Sequence, residues 1–187
     1  MKLAAIIGIC ILGTTLVFFY YIGMFDRLEL TRESRGPYHL VYREYRGPYK
    51  GVRYMVNTVY RFARDTLQVS TGTGFAAFYD NPQQQQGRHP RSIGGVVVYD
   101  SITVPFPYKN WLFKQCDAVV GRFQLRGFFS YAIGGYRFYS RLGGVVEKNS
   151  LELAGPVLEL YDKPNKEIRF IAPLRRNSML FPEFGGE

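Results

Sequence analysis

The hydrophobic pattern of the chain starts with an uncharged stretch over residues 3–25, LAAIIGICILGTTLVFFYYIGMF. An α-helix rises about 1.5 Å per residue and roughly 20 apolar residues cross a bilayer. The stretch therefore predicts one transmembrane helix in the lipid bilayer, with its aromatic C-terminal end at the interface. A cleaved signal peptide is the alternative, but the apolar run is too long for one and no A-x-A-like site follows it. The polar residues 26–37 predict a short stalk.

After the stalk, the hydrophobic period changes between that of strands and that of helices in a regular order. Short apolar runs predict strands over residues 38–43, 74–79, 93–99, 118–124, 157–161 and 168–171. Apolar residues at helical spacing predict an amphipathic helix over residues 52–67 and a longer helix over residues 128–146. The polar, proline-bounded stretch 81–91 (NPQQQQGRHPR) predicts a surface loop between two strands.

This order of elements occurs twice. Residues 78–82 (FYDNP) recur as residues 160–164 (LYDKP), and each copy ends the third element of its half. Asp, Asn and Pro at these positions suit the turn that follows. We therefore predict an α+β domain over residues 38–176, built from two strand–helix–strand–strand repeats around a central antiparallel sheet. A short C-terminal segment, residues 177–187, follows the domain.

The formal net charge of +9 favours acidic partners such as anionic lipid, an acidic protein or nucleic acid. The basic residues are scattered singly, without a run or zinc-binding spacing, so direct nucleic-acid binding is not expected. More arginines follow the apolar stretch closely than precede it, which predicts that the folded domain faces the cytosol. Cys10 lies in the apolar stretch and leaves Cys116 alone, which fits a reducing compartment.

Glu159 is the strongest candidate for a functional side chain. Side chains alternate along a strand, so Glu159 and Tyr161 point away from the face that carries the two leucines of the strand over residues 157–161. If helices cover the leucine face, Glu159 lies on an open face that forms a cleft between the two halves. The repeated pentapeptide places Ala77 at the equivalent position of the first half, so the acid is present on one side only.

A single carboxylate among aromatic rings suits a cationic small ligand, through charge and through contact with ring faces. The predicted ligand-binding residues are Glu159, Tyr161, Tyr79 and Tyr99. An ordinary exposed glutamate of a strand is the alternative. The only histidines, His39 and His89, lie in a predicted strand and in the glutamine-rich loop, and no metal, phosphate or dinucleotide motif occurs. We expect no metal, no cofactor and no catalytic residue.

Three segments resemble the GyrI-like effector-binding domain: residues 78–82 (FYDNP), 158–161 (LELY) and 168–174 (IRFIAPL). Together with the apolar N-terminal stretch, they make the chain similar to the testis-expressed protein 264 family of reticulophagy receptors. The resemblance implies a single-pass protein of the endoplasmic reticulum membrane with a two-repeat α+β domain in the cytosol. It also implies that the cleft acid of ligand-binding GyrI-like domains corresponds to Glu159.

That family is associated with autophagy ubiquitin-like proteins and with a AAA ATPase segregase, and the resemblance implies both as partners. Its autophagy motif lies in an acidic tail that has no counterpart before Glu187. Looser versions of the motif at residues 25–28 (FDRL) and 38–41 (YHLV) are expected to be accidental. The main hypothesis is a membrane-anchored binding or adaptor protein. The alternatives are a small-ligand-binding protein or hydrolase that uses the cleft glutamate, and association with nucleic acid or DNA–protein crosslink repair factors.

Overall fold

The computed structural model describes residues 2–80, 90–174 and 180–185, and over these residues the chain forms three α-helices and eight β-strands. The helices are α1 (Lys2–Tyr21), α2 (Val52–Arg61) and α3 (Phe128–Lys148). The strands are β1 (Leu30–Arg35), β2 (Tyr38–Arg46), β3 (Thr71–Phe78), β4 (Arg91–Val98), β5 (Lys109–Phe113), β6 (Cys116–Gln124), β7 (Val157–Asp162) and β8 (Glu167–Pro173). Residues 81–89 of the predicted loop, His89 among them, lie outside the described residues.

The eight strands form one curled antiparallel sheet in the order β1-β6-β8-β7-β3-β4-β2-β5. One half of the sheet comes from the unit β2-α2-β3-β4 and the other from β6-α3-β7-β8. The two halves join at the centre, where β3 pairs with β7. The predicted α+β class and the pair of strand–helix–strand–strand repeats are therefore confirmed.

The two edge strands were not predicted. β1 pairs with β6 of the second repeat, and β5 pairs with β2 of the first. The sequence of β1, LTRESR, is mostly polar and its side chains are half-buried or exposed, as is common at a sheet edge, so it carries no clear strand pattern. Leu28, just before β1, is buried. The prediction of a free stalk over residues 26–37 is therefore wrong, because this stretch belongs to the folded domain.

The two repeat helices lie on the same face of the sheet. Phe138 of α3 stacks on Phe170 of β8, with 4.6 Å between the ring centroids. Met55 of α2 packs against Ala76 of β3. Ala76 and Phe170 are the two cross-strand neighbours of Glu159, and directly paired residues share a face. The face that carries Glu159 is thus the helix-covered face.

The opposite face of the sheet is covered by the last described residues of the chain. Leu180 and Phe181 are buried against a core that includes Phe75 and Leu158. The indole N–H of Trp111 donates a hydrogen bond to the carbonyl of Leu180 at 3.1 Å. Because both faces are covered, β7 is buried along nearly its whole length.

Both predicted repeat helices are present. The first is α2, which continues as a π-helical turn over Phe62–Thr66. The second is α3, which is continuous over 21 residues although it contains four glycines. A Cβ atom at Gly134 would lie 2.8 Å from the Phe123 ring, whereas one at Gly143 would meet nothing within 4 Å. Close approach to the sheet therefore accounts for Gly134 but not for Gly143.

The N-terminal helix α1 stands apart from the domain core. Its residues Leu3–Tyr21 have a mean hydropathy of 2.3, and none of the span is buried. The helix is therefore long and apolar enough to cross a membrane, as predicted. Its C-terminal end is fixed to the domain: Arg126 donates to the Tyr20 carbonyl at 3.2 Å, and Arg137 donates to the Gly23 carbonyl at 2.7 Å.

Candidate functional site

Glu159 lies in the middle of the central strand β7, on the sheet face between α2 and α3. Its side chain is 8% exposed. Helices were predicted to cover the leucine face of β7, and this prediction is wrong. The helices cover the glutamate face, and the C-terminal residues cover the leucines. Alternation along a strand buried on both faces cannot tell which face carries helices. Glu159 lies between the two halves, but it is buried and does not face an open cleft.

Two tyrosine hydroxyls donate hydrogen bonds to the Glu159 carboxylate. Tyr139 of α3 donates to Oε1 at 3.1 Å, and Tyr161 of the same strand donates to Oε2 at 2.8 Å. Each carboxylate oxygen thus has one phenol donor. Such charge-assisted bonds favour the ionised carboxyl, which would otherwise be costly to bury.

Further aromatic rings surround this group. Tyr49, in the turn that leads into α2, meets the Phe78 ring edge-on at 4.8 Å and donates its hydroxyl to the Asp80 carbonyl at 2.8 Å. On the other side, the Tyr131 ring of α3 lies 6.0 Å from the Tyr161 ring. The carboxylate therefore lies in a largely aromatic surrounding contributed by both repeats.

Burial sets the protonation of the site. Removal from water raises the pKa of Glu159 from its ordinary value of 4.5 to about 7, although the hydrogen bonds from Tyr161 and Tyr139 oppose the rise. Burial, followed by the negative charge of Glu159, raises the pKa of both tyrosine hydroxyls well above the ordinary value. The tyrosines therefore keep their protons at neutral pH, while the glutamate exchanges its proton in the physiological range.

A cation–π pair links the two helices that flank Glu159. The guanidinium of Arg53, in α2, lies over the ring of Phe128, the first residue of α3, at 5.6 Å from the ring centroid. Both side chains are exposed at the surface. This cation–π contact joins α2 to the start of α3.

The structure brings together only part of the predicted residue set. Tyr161 is in contact with Glu159, whereas Tyr79 lies on the opposite face, where its hydroxyl donates to the Pro182 carbonyl at 2.7 Å. Tyr99 is 72% exposed beyond the end of β4. The prediction that Tyr79 and Tyr99 lie beside Glu159 is therefore wrong. Tyr79 is on the other face of the sheet, and Tyr99 lies beyond the end of its strand.

The repeat equivalence was also shifted by one residue. Ala77 pairs with Leu158 on the face away from the helices, and Ala76 is the residue opposite Glu159. The pentapeptide alignment relates Ala77 to Glu159, but these two residues lie on opposite faces of the sheet. The offset between residues that share a face therefore differs from that alignment by one. The strand neighbour of Glu159 in the first repeat is therefore the small side chain of Ala76, not a second acid.

Sequence reasoning missed Tyr139, Tyr49 and Tyr131. Tyr139 and Tyr131 are part of the helical pattern that predicted α3, so a sheet-facing stripe with hydroxyl groups was visible. Once α3 is placed over β7, Tyr139 is within reach of Glu159. Tyr49 follows a Gly-Pro pair and carried no sequence signal beyond its turn.

Comparisons with solved structures reveal the same fold in other proteins. EcmrR in its DNA complex matches with a TM-score of 0.62 and 9% identity, over 94% of this chain and 69% of that chain. The EcmrR C-terminal domain alone matches with a TM-score of 0.60 and 12% identity, over 80% of this chain and 99% of that one. SAV2435 bound to tetraphenylphosphonium matches with a TM-score of 0.53 and 10% identity, over 79% and 94% of the two chains.

No protein-family model matches the sequence, and no curated protein sequence matches it either. At these identities the structural likeness establishes the fold alone. The chain is thus an α+β protein with the half-barrel fold of GyrI-like effector-binding domains, preceded by one apolar helix. Glu159 is a buried carboxylate in this fold, with aromatic rings around it.

Proposed function

We propose that this protein is a membrane-anchored binding protein whose GyrI-like domain holds a lipophilic cation at Glu159. The observation that carries the proposal is the buried carboxylate with its two phenol donors, surrounded by rings from both repeats. The tetraphenylphosphonium bound in the structure of SAV2435, a protein of the same fold, supports this ligand class.

Desolvation explains why such a site selects lipophilic cations. Burying a carboxylate costs several kcal/mol unless a positive charge compensates it. A large, weakly hydrated cation loses little hydration on entry, and its apolar groups gain contact with aromatic ring faces. Because Glu159 is only 8% exposed, entry requires α2 and α3 to separate and the Arg53–Phe128 contact to break.

The test is calorimetric titration of the full chain in a non-ionic detergent with tetraphenylphosphonium. We expect Glu159→Gln to weaken binding by roughly thirtyfold or more, because removing one member of a buried charge pair costs about 2 kcal/mol at least. The substitution keeps the size of the side chain and can keep hydrogen bonds with both tyrosines.

Glu147→Gln is the matched control, because it removes the same charge from an exposed position near the C-terminal end of α3. It also corrects for partition of the ligand into detergent. Equal affinities of the wild type and Glu159→Gln, with both variants folded, would contradict the assignment of the site.

Membrane anchoring by α1 is the second part of the proposal. We expect the full chain to stay with membranes after an alkaline wash, and a chain that lacks residues 2–21 to remain in the soluble fraction. The reason is that Leu3–Tyr21 carries no charge, is unburied, and is long and apolar enough to span a bilayer. Extraction of the full chain by alkali would contradict the anchor, and a mature chain without these residues would identify a signal sequence.

A hydrolase is the enzymatic alternative, and the pKa of Glu159, about 7, would suit a general base. Tyr139 and Tyr161 do not provide a second catalytic group beside Glu159. Burial raises the pKa of both hydroxyls, so neither gives up its proton readily near neutral pH. We therefore propose binding without turnover.

A narrower assignment, to the reticulophagy receptors of the endoplasmic reticulum, is supported by the sequence resemblance alone. The same holds for autophagy ubiquitin-like proteins and a AAA ATPase segregase as partners. Leu28 and Val41, the aliphatic ends of the two loose autophagy motifs, are buried. Neither can enter a partner's pocket in this fold. Association with nucleic acid or crosslink-repair factors is supported by the net charge of +9 alone.

A further inference from the structure

A cavity of about 600 Å³ lies where α1 meets the domain. Tyr21, the last residue of α1, forms one side of it, and Arg126 lies in the loop before α3. Lys163 and Lys166, in the turn between β7 and β8, contribute two further cations. Glu159 does not line this cavity, although Tyr131, whose ring neighbours Tyr161, does.

The charge of this cavity is positive. Its described lining residues include two lysines and one arginine but no aspartate or glutamate. Asp26 pairs with Arg126 itself at 2.8 Å and balances part of its charge, whereas Asp162 pairs with Arg169 at 2.9 Å, outside the cavity lining. The two lysines therefore carry most of the positive charge. Gly127, the N-cap of α3, also lines the cavity and provides no side-chain cap, so the positive end of the helix dipole adds to the field.

Exposed aromatic rings lie next in the chain to the part of this cavity formed by Arg126 and Gly127. Phe128 and Phe129 at the start of α3 are 69% and 56% exposed. The Phe129 ring contacts the Phe18 ring of α1 edge-on at 5.9 Å, so the aromatic end of α1 and the first turn of α3 form one continuous band. Aromatic side chains concentrate at the membrane–water interface. Lys163 and Lys166 therefore lie next to the interface if α1 spans the bilayer.

We propose that this cavity binds the phosphate of an anionic phospholipid headgroup and seats the domain on the membrane surface. The proposal rests on the insertion of α1 proposed above. Lysine and arginine side chains that converge from two loops can contact one phosphate from different directions. The cytoplasmic leaflet, which the distribution of arginines predicts on this side, is the one that carries anionic lipid. Lipid binding there would fix the domain relative to the bilayer.

The test reconstitutes the full chain into nanodiscs with equal amounts of phosphatidylcholine and phosphatidylserine. Native mass spectrometry then measures which lipid stays bound when the nanodisc is removed. We expect the wild type to retain phosphatidylserine in preference to phosphatidylcholine. In the double variant Lys163→Gln/Lys166→Gln, the ratio of retained phosphatidylserine to phosphatidylcholine should fall about fivefold for each lysine removed. This is the effect expected of a cation close to an anionic surface.

Lys114→Gln/Lys148→Gln is the matched control, since it removes two exposed charges outside the cavity and should keep the preference. Equal retention of the two lipids by the wild type, or an unchanged preference in the Lys163/Lys166 variant, would overturn the proposal. Displacement of the lipid by low concentrations of inorganic phosphate would show a site for free phosphate instead. Failure of α1 to anchor would appear separately, as loss of the protein from nanodiscs of phosphatidylcholine alone.

Discussion

Glu159→Gln is expected to stabilise the ligand-free protein by about 3 kcal/mol at pH above about 8, although it weakens ligand binding. Burial raises the pKa of this carboxyl from 4.5 to about 7 in the folded chain. The unfolded chain therefore binds fewer protons than the folded chain between these two values. Stability of the wild type is highest below the lower pKa, falls as the pH rises towards the upper one, and is constant above it.

The measurement is urea unfolding of the full chain in detergent at a series of pH values. The difference between Glu159→Gln and the wild type should be small near the ordinary pKa of 4.5 and should grow until the pH passes about 7. Glu147→Gln, which removes an exposed carboxylate, should follow the wild type at every pH. A constant difference across the whole range would show that Glu159 is not a buried acid with a raised pKa.

Gly95→Ala is expected to destabilise the fold by about 3 kcal/mol or more, because it forces backbone atoms apart. Gly95 lies in β4 between Tyr42 of β2 and Phe75 of β3. A Cβ atom there would lie 1.9 Å from the carbonyl oxygen of Val41 and 2.8 Å from the Cα atom of Tyr42. Neither contact can be relieved by rotating a side chain, so the strands must shift.

Gly143→Ala is the control, and it should change the stability of the fold in the opposite direction. A Cβ atom at this position of α3 meets nothing within 4 Å. Alanine is better than glycine in a helix interior by about 1 kcal/mol, so this variant should be more stable than the wild type. Thermal unfolding followed by circular dichroism should show a lower midpoint for Gly95→Ala and a higher one for Gly143→Ala. A Gly95→Ala variant as stable as the wild type would contradict the close pairing of β4 with β2.

Most of the fold could be predicted because the hydrophobic periods of both repeats are strong. The apolar residues of α2 recur at helical spacing, and those of β4 and β6 form short runs typical of buried strands. The edge strands could not be predicted, because β1 reads LTRESR and depends on its hydrogen bonds with β6 rather than on an apolar face. The stalk was predicted in its place for the same reason.

The site could be predicted only as far as the identity of Glu159 and its neighbour Tyr161. Their contact follows from alternation along one strand. The remaining partners come from other elements, and their position depends on which face of β7 the helices cover. Since β7 is buried on both faces, its sequence VLELYD carries no information on that choice. Tyr79 was therefore assigned to the wrong face, and Tyr139 was overlooked.

The central claim, that Glu159 is a buried acid that binds cations, is tested most directly by the protons released on binding. Tetraphenylphosphonium is titrated into the protein at about pH 7 in two buffers of different ionisation enthalpy, and the difference in heat gives the number of protons. The cation should stabilise the ionised carboxylate, so the wild type should release about half a proton near its pKa and Glu159→Gln none. Binding without proton release by the wild type, or equal release by both proteins, would contradict the account.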